Sequence, residues 1–202
     1  VCLLNALHAY NRRYVSPEYL ASTACDIEIN RLGDPIGKQD QYAAAYGGLN
    51  FITFNKDESV SVEKIIMDPT AKQQLDENLI MIYTGVTRSA SQILKNQSQE
   101  MSKEDKRLVV KKMVDMAYEL KSVLQNNQID DFGRILHEGW LLKQSISAGI
   151  SNENISNLYN KGLEAGALGG KLLGAGGRAV IRFYCPKEKQ AEFRSSMDQY
   201  KE

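Results

Sequence analysis

The sequence predicts an α+β fold in which helices pack on sheets. Two observations carry that expectation. Long segments carry apolar residues at the 3.6-residue helical period, as at positions 109, 113, 116, 120 and 123/124. Short apolar runs such as Leu79–Tyr83 and Val180–Cys185 read instead as buried strands. The two kinds of segment do not alternate as regular βαβ units, which excludes a simple doubly wound sheet.

The elements follow in order. Val1–Tyr10 reads as the middle of a helix, apolar at 3, 4, 7 and 10, with neither Met nor a capping residue before it. The expectation is that residues ahead of Val1 belong to the working protein. Ser16-Pro17-Glu18 starts the next helix with a cap, a proline at the first helical position and an acid in the first turn. That helix runs to about Leu32 and ends at Gly33. Gln41–Tyr46 predicts one or two helical turns, broken by Gly47-Gly48. Leu49–Phe54 and Ser59–Ile66 predict a strand pair across Asn55–Glu58.

Asp68-Pro69 marks a domain seam, giving domains 1–68 and 69–202. A short polar connector leads to the Leu79–Tyr83 strand. Thr84–Ser89 then leads into a helix over Ser89–Gln97. Ser102-Lys103-Glu104-Asp105 opens a long helix to about Gln125, and helices over Asp130–Ser147 and Asn152–Ala165 follow. Val180–Cys185 is a strand, and Glu188–Tyr200 a closing helix.

Composition bounds the function. With 202 residues, 43% hydrophobic and 25% charged, the chain can bury a sizeable core as soluble globular protein. A formal net charge of zero supplies no global attraction for nucleic acid or an anionic membrane. No apolar run reaches membrane-spanning length. Cys2, Cys25 and Cys185 are odd in number and widely spaced, which favours a reducing cytoplasm over a disulfide framework. Two histidines without HExxH or paired CxxC spacing argue against zinc.

The densest glycine stretch, Ala165–Pro186, is the first candidate site. Gly174-Ala175-Gly176-Gly177-Arg178-Ala179 fits G-x-G-x-x-A. That fingerprint needs a strand before it and a helix after it, whereas here a helix precedes and a strand follows. A Walker A loop also fails, because Leu172 follows Gly170-Lys171 and Ala165 stands where a glycine is required. Two readings remain: a tight turn, or close backbone approach to a ligand phosphate.

The second candidate is Lys38-Gln39-Asp40-Gln41-Tyr42. Asp40 on a glycine-flanked loop beside a lysine is either a base for a hydroxyl or the cap of the following helix. Glu28, on the preceding helix, either holds Mg²⁺ or belongs to a solvated face. The third candidate is Thr84–Ala90, where Thr87 and Arg88 either bind sugar hydroxyls and phosphate or form an ordinary cap with a surface arginine. Lys103, Lys106, Arg107, Lys111 and Lys112, interleaved with acids, read as a solvated face rather than a nucleic-acid surface. Trp140 and the methionines of the long helix read as core.

Three stretches, Gly33–Gly48, Thr84–Ser89 and Gly169–Gly177, together resemble the GHMP small-molecule kinases, in order and over nearly the whole chain. Within that superfamily the likeness is to bacterial kinases of D-glycero-D-manno-heptose 7-phosphate. The resemblance implies a two-domain fold: the C-terminal portion of the catalytic N-terminal domain, then a ferredoxin-like C-terminal domain. It implies ATP and Mg²⁺ as cofactors, a sugar phosphate as the partner, a cytoplasmic monomer or homodimer, and no nucleic acid or membrane.

By the same resemblance, Asp40 is the catalytic carboxylate, with Lys38 tuning it. Glu28 holds the metal. Gly37, Gln39, Tyr42, Thr87, Arg88, Gly174, Ala175 and Gly176 line the acceptor, with Arg88 on its 7-phosphate, while Lys171 and Gly177 meet the nucleotide. The chain departs from the family pattern at Arg178 and Ala179, where the glycine run usually continues, and at Arg182, where an apolar residue is usual. The family's glycine-serine phosphate loop is expected just before Val1, so this stretch alone is expected to be inactive. The remaining alternatives are a fucose or galactose kinase of the same superfamily and a non-catalytic GHMP-like binding protein.

Overall fold

A computed structural model describes residues 1–88, 104–146, 150–173 and 177–202. The chain forms two compact units, Val1–Ile66 and Met67–Glu202.

The first unit opens with α1 (Cys2–Tyr10), which buries none of its residues. Helix α2 (Pro17–Cys25) starts as its cap signal predicts: Ser16 Oγ accepts from the Tyr19 backbone N–H at 3.2 Å, with Pro17 at the first position. The helical run then widens into a π-helical turn over Asp26–Arg31, closed by Leu32 N–H donating to the Ile27 carbonyl. Gly33 follows at φ +73°, a conformation glycine adopts without penalty. Helix α3 (Gln39–Tyr46) takes Lys38 at its N-cap position with no side-chain cap bond. Asp40 is therefore a first-turn residue, and the capping role considered for it falls away. Strands β1 (Asn50–Phe54) and β2 (Val60–Lys64) pair antiparallel, as predicted. Ala21, Cys25 and Tyr42 form the buried centre, packed by Ile29, Ala45, Tyr46, Ile52, Val60 and Val62.

In the second unit, the expected polar connector is a helix, α4 (Pro69–Glu77). Asp68 Oδ1 caps it by accepting from Thr70 N–H at 2.8 Å. Strand β3 (Leu79–Arg88) is twice the length predicted. It runs through Gly85 at φ +73°, and its register shifts between Tyr83 and Thr87. Thr87 and Arg88 therefore lie in a strand rather than at a helix start. The predicted helix over 89–97 lies outside the described residues.

Helices α5 (Glu104–Gln125), α6 (Asp130–Ile146) and α7 (Glu153–Glu164) come next, and Asn152 caps α7 through a 2.9 Å bond from Ile155 N–H. The glycine stretch follows directly from α7, as predicted, but a strand and not a helix stands just before Gly174. Its first half is strand β4 (Gly169–Leu173), and β5 (Gly177–Tyr184) is its second. Two glycines at the head of β4 hid a strand from propensity reasoning. Helix α8 (Gln190–Ser196) is shorter than predicted.

Among the described residues the sheet order is β3–β5–β4, all antiparallel. On the free edge of β3, Tyr83 N–H donates to the Lys201 carbonyl at 2.8 Å. The sequence of elements is thus β-α-β-β-α-β with Lys201 as the last strand position, a ferredoxin-like arrangement. One sheet face carries Ile80, Ile82, Leu172, Ile181 and Phe183, all buried. Phe183 stacks on Tyr159 of α7 at 5.8 Å between ring centres and meets Phe193 of α8 edge-on at 5.2 Å. Burying each such side chain stabilises by about 1.5–3 kcal/mol.

Two close approaches fix helix against strand. A Cβ on Gly169 would lie 2.0 Å from the Gly133 carbonyl oxygen of α6, and one on Gly162 of α7 would lie 2.4 Å from the Phe183 ring. Gly169→Ala is expected to destabilise the protein by about 1–3 kcal/mol. The readout is the denaturant midpoint, and an unchanged midpoint would mean that α6 withdraws from β4 freely.

Cys185, fully buried, has its thiol pushed up by burial to about 11 from an ordinary value of 9.0. The folded state then holds that proton more tightly than the unfolded chain. Its contribution is complete below about pH 9 and is lost as pH rises toward 11. The difference in unfolding free energy between wild type and Cys185→Ala is expected to shrink over that interval and to be flat between pH 6 and 8.

Candidate active site

The candidate residues fall in both units. In the first, they gather where the π-helical turn meets the start of α3. Glu28 sits on the π turn, half-buried, and its carboxylate accepts from the side-chain amide of Gln41. Gln41 is itself buried, and its Oε1 has no hydrogen-bond partner among the described residues. A π turn adds a residue to the helical repeat and re-aims the side chains that follow, a device frequent at functional sites. Asp40, next to Gln41, is exposed in the first turn of α3. Gly37 and Gln39 flank it, also exposed, and a side chain at Gly37 would meet nothing within 4 Å.

Lys38 and Tyr42 share a different aspect of α3. Lys38 Nζ pairs with the Glu58 carboxylate and donates to the Glu58 carbonyl at 3.2 Å. Tyr42 is 3% exposed, and its hydroxyl donates to Glu18 at 2.8 Å. Tyr46, one turn on, donates to the other oxygen of Glu18 at 3.0 Å. Burial first, and then the Glu18 carboxylate, push both phenols up. Tyr42, expected at the acceptor, instead braces α3 against α2.

Of these groups, Glu18, Lys38, Tyr42 and Glu58 line a groove of about 640 Å³ with Cys25 and Asn30, whereas Glu28, Asp40 and Gln41 do not border it. Asp26 rims it, held below the usual carboxylate range by hydrogen bonds from Asn30 and Arg31. Cys25, pushed up by burial, is inert at neutral pH. Glu18 and Glu58 were missed from sequence. The Tyr42/Tyr46 spacing of one turn was the signal for a shared partner, while nothing marked Glu58.

The oxygen set suits a hard divalent cation. Among the described residues no group of three or more His, Cys, Asp or Glu gathers. Magnesium asks for only one or two protein carboxylates, the rest being phosphate and water. Glu28, with the unpartnered Gln41 Oε1 on its neighbour, meets that demand.

In the second unit, the register sets Thr87 opposite Arg178 and Arg88 opposite Gly177, so two separately chosen stretches share one end of the sheet. Gly174, Ala175 and Gly176, between β4 and β5, lie outside the described residues. Lys171 lies in β4, paired with Arg182, and borders a pocket between α5 and α6.

Residues 116–201 match the family model described as GHMP kinases C terminal. That stretch of the second unit is thus similar to the C-terminal domain of the GHMP kinases. It is 28% identical over 171 residues to the D-glycero-alpha-D-manno-heptose 7-phosphate kinase of Campylobacter jejuni, covering 85% of this chain and 50% of that protein. It is 27% identical over 176 residues to the bifunctional fucokinase/GDP-fucose pyrophosphorylase of Arabidopsis thaliana, covering 85% of this chain and 17% of that one. The chain therefore spans half the length, or less, of these curated relatives. A solved D-glycero-D-manno-heptose 1-phosphate kinase from Bacteroides thetaiotaomicron superposes with a TM-score of 0.69 at 24% identity, over 98% of this chain and 54% of that one. That likeness establishes the GHMP kinase fold.

Cys2 is exposed while Cys25 and Cys185 are buried, and all three are free thiols. Alkylation of the native protein at pH 8, mapped by mass spectrometry, is expected to modify Cys2 alone, with the other two reacting only in denaturant. Rapid labelling of native Cys25 would show that the groove opens to its floor.

Proposed function

We propose that this chain supplies the acceptor side and the glycine-rich hairpin of an ATP-dependent sugar kinase. Its acceptor is the anomeric hydroxyl of a heptose 7-phosphate. The observation that carries the reading is the exposed Asp40 at the N-terminal turn of α3, beside the Glu28–Gln41 pair, in a chain matching a heptose 7-phosphate kinase over 85% of its length. In this reading 1–68 is the remainder of the catalytic domain and 69–202 the C-terminal domain. The protein works in the cytoplasm as a monomer or homodimer.

Asp40 accepts the proton of the acceptor hydroxyl as the hydroxyl oxygen bonds to the γ-phosphorus of ATP and ADP departs. Its exposure leaves room for the sugar. Glu28, steadied by Gln41, would hold Mg²⁺, which supplies charge neutralisation at the transferring phosphate. Lys38, engaged with Glu58, fixes the start of α3 and so the position of Asp40. Gly37 and Gln39 border the acceptor. Thr87 and Arg88, at the hairpin end of β3, meet the sugar and its 7-phosphate, and the Gly174–Gly177 run and Lys171 serve the phosphates. Most of the acceleration comes from positioning and charge stabilisation.

A fucose- or galactose-type kinase is the second reading, favoured by the likeness to the fucokinase. A GHMP-like binding protein without activity is the third, favoured by Arg178 in place of glycine.

ADP release from the protein carrying its upstream sequence separates them. Activity on heptose 7-phosphate is expected, with little on fucose or galactose, and the reverse preference selects the second reading. Asp40→Asn is expected to lower kcat by about 10²–10⁴-fold, and Glu28→Gln to weaken activity in a way that excess Mg²⁺ partly restores. Full activity in Asp40→Asn overturns the base assignment, and no ADP release with any sugar supports the binding protein.

A further inference from the structure

Gln41 occupies a buried position that packing alone would fill differently. Its side chain is 6% exposed, in the first turn of α3, where that helix packs on α2. A side-chain amide can donate through its nitrogen and accept at its oxygen. Among the described residues Gln41 makes one such bond, from Nε2 to Oε2 of the Glu28 carboxylate, and its own Oε1 is left without a partner. A buried carbonyl oxygen with no donor costs its desolvation without return. Methionine would fill the same space without that cost. The bond to Glu28 is therefore what an amide at this position supplies.

Three features say what that bond does. First, its direction is fixed. A carboxylate accepts, so only the amide nitrogen can face it, and the carbonyl oxygen is turned away. Second, both ends are held. Gln41 is fixed by burial beside Tyr42, whose hydroxyl is tied to Glu18 at 2.8 Å. Glu28 stands half-buried on the π-helical turn over Asp26–Arg31, which is fastened by Leu32 N–H on the Ile27 carbonyl at 3.0 Å. Third, the bond engages one oxygen only. Among the described residues nothing bonds to Glu28 Oε1. The carboxylate thus offers one oxygen to a ligand while the other is taken.

A single free oxygen discriminates between hard cations. Mg²⁺ demands a near-ideal octahedron, and the two oxygens of one carboxylate lie too close together to fill two of its corners. Ca²⁺ is larger, takes more oxygens in a flexible geometry, and gains from a carboxylate that binds through both. Engaging Oε2 costs Mg²⁺ nothing and denies Ca²⁺ its second contact. We propose that Gln41 is a positioning residue that confines Glu28 to ligation through one oxygen and so makes the cation site select Mg²⁺ over Ca²⁺. The proposal rests on the kinase reading given above, in which Glu28 holds the cation. It goes beyond that reading by assigning the selectivity to the neighbour of Asp40 rather than to the ligand itself.

The test measures binding without turnover. The protein carrying its upstream sequence is titrated by calorimetry with the β,γ-imido analogue of ATP, once in saturating Mg²⁺ and once in saturating Ca²⁺. The ratio of the two affinities reports the selectivity. Wild type is expected to bind the Mg²⁺ complex more tightly. Gln41→Met, which keeps the volume and removes the donor, is expected to cut that ratio by about 10-fold or more, chiefly through tighter binding of the Ca²⁺ complex. Its melting point is expected to be no lower than that of wild type, because the unpaired amide oxygen has gone. A purely structural role predicts the reverse, a lower melting point with the ratio unchanged. Glu28→Gln is expected to weaken both complexes. If Glu28→Gln binds both as wild type does, the kinase reading of Glu28 fails and this proposal fails with it. If Glu28→Gln weakens binding while folded Gln41→Met keeps the wild-type ratio, the proposal alone is overturned. Equal wild-type affinity for the two complexes also overturns it, and that comparison stands even if Gln41→Met does not fold.

Discussion

The second unit depends on one strand. β5 has ladder partners on both sides, β3 and β4, so its peptide groups are satisfied within the sheet and its side chains set both faces. One face places Phe183 against Tyr159 of α7 and Phe193 of α8, with Ile181 in the same buried cluster. Because strand side chains alternate, a slip of one residue would turn Phe183 outward and Arg182 inward. Arg182 instead shares the opposite face with Met81 and Lys171, and its guanidinium reaches the Met81 sulfur at 3.8 Å. The same alternation that builds the core puts a row of positive charge on the other side.

That geometry gives the glycine stretch a new meaning. Some of its glycines are spacers between elements rather than ligands of anything. Gly169 lets α6 touch β4, and Gly170 would bring a Cβ to 2.8 Å from Phe183. In the first unit the division is similar. Tyr42 and Lys38, which seem chemical in the sequence, hold α3 in place, and the exposed Asp40 is what they hold.

Much of this was legible in the chain. Ser16-Pro17 and Asn152 announced helix starts through their side-chain caps, and both caps form. The apolar alternation of β1 and β2 gave their pairing. The α+β class and the GHMP likeness also followed from sequence, the latter from motifs whose glycines have few substitutes. The Asp68-Pro69 cap of α4 was equally local, but it was read as a seam rather than as the start of a helix.

The sequence by itself determined elements whose causes are local: caps, periodicity and turn residues act within a few positions. Only the tertiary structure decided the rest. β4 is a strand because β5 offers a ladder and α6 a flat seat, although Gly-Gly has little strand propensity alone. Thr87 and Arg88 are held in a strand for the same reason, by partners at Arg178 and Gly177 far along the chain. Glu58 meets Lys38, and Glu18 meets two tyrosines, through the folding of separate segments against one another. The pocket beside Gly139 likewise exists only where two helices pack side by side. Contacts between distant residues are products of packing, and no window of sequence contains both partners.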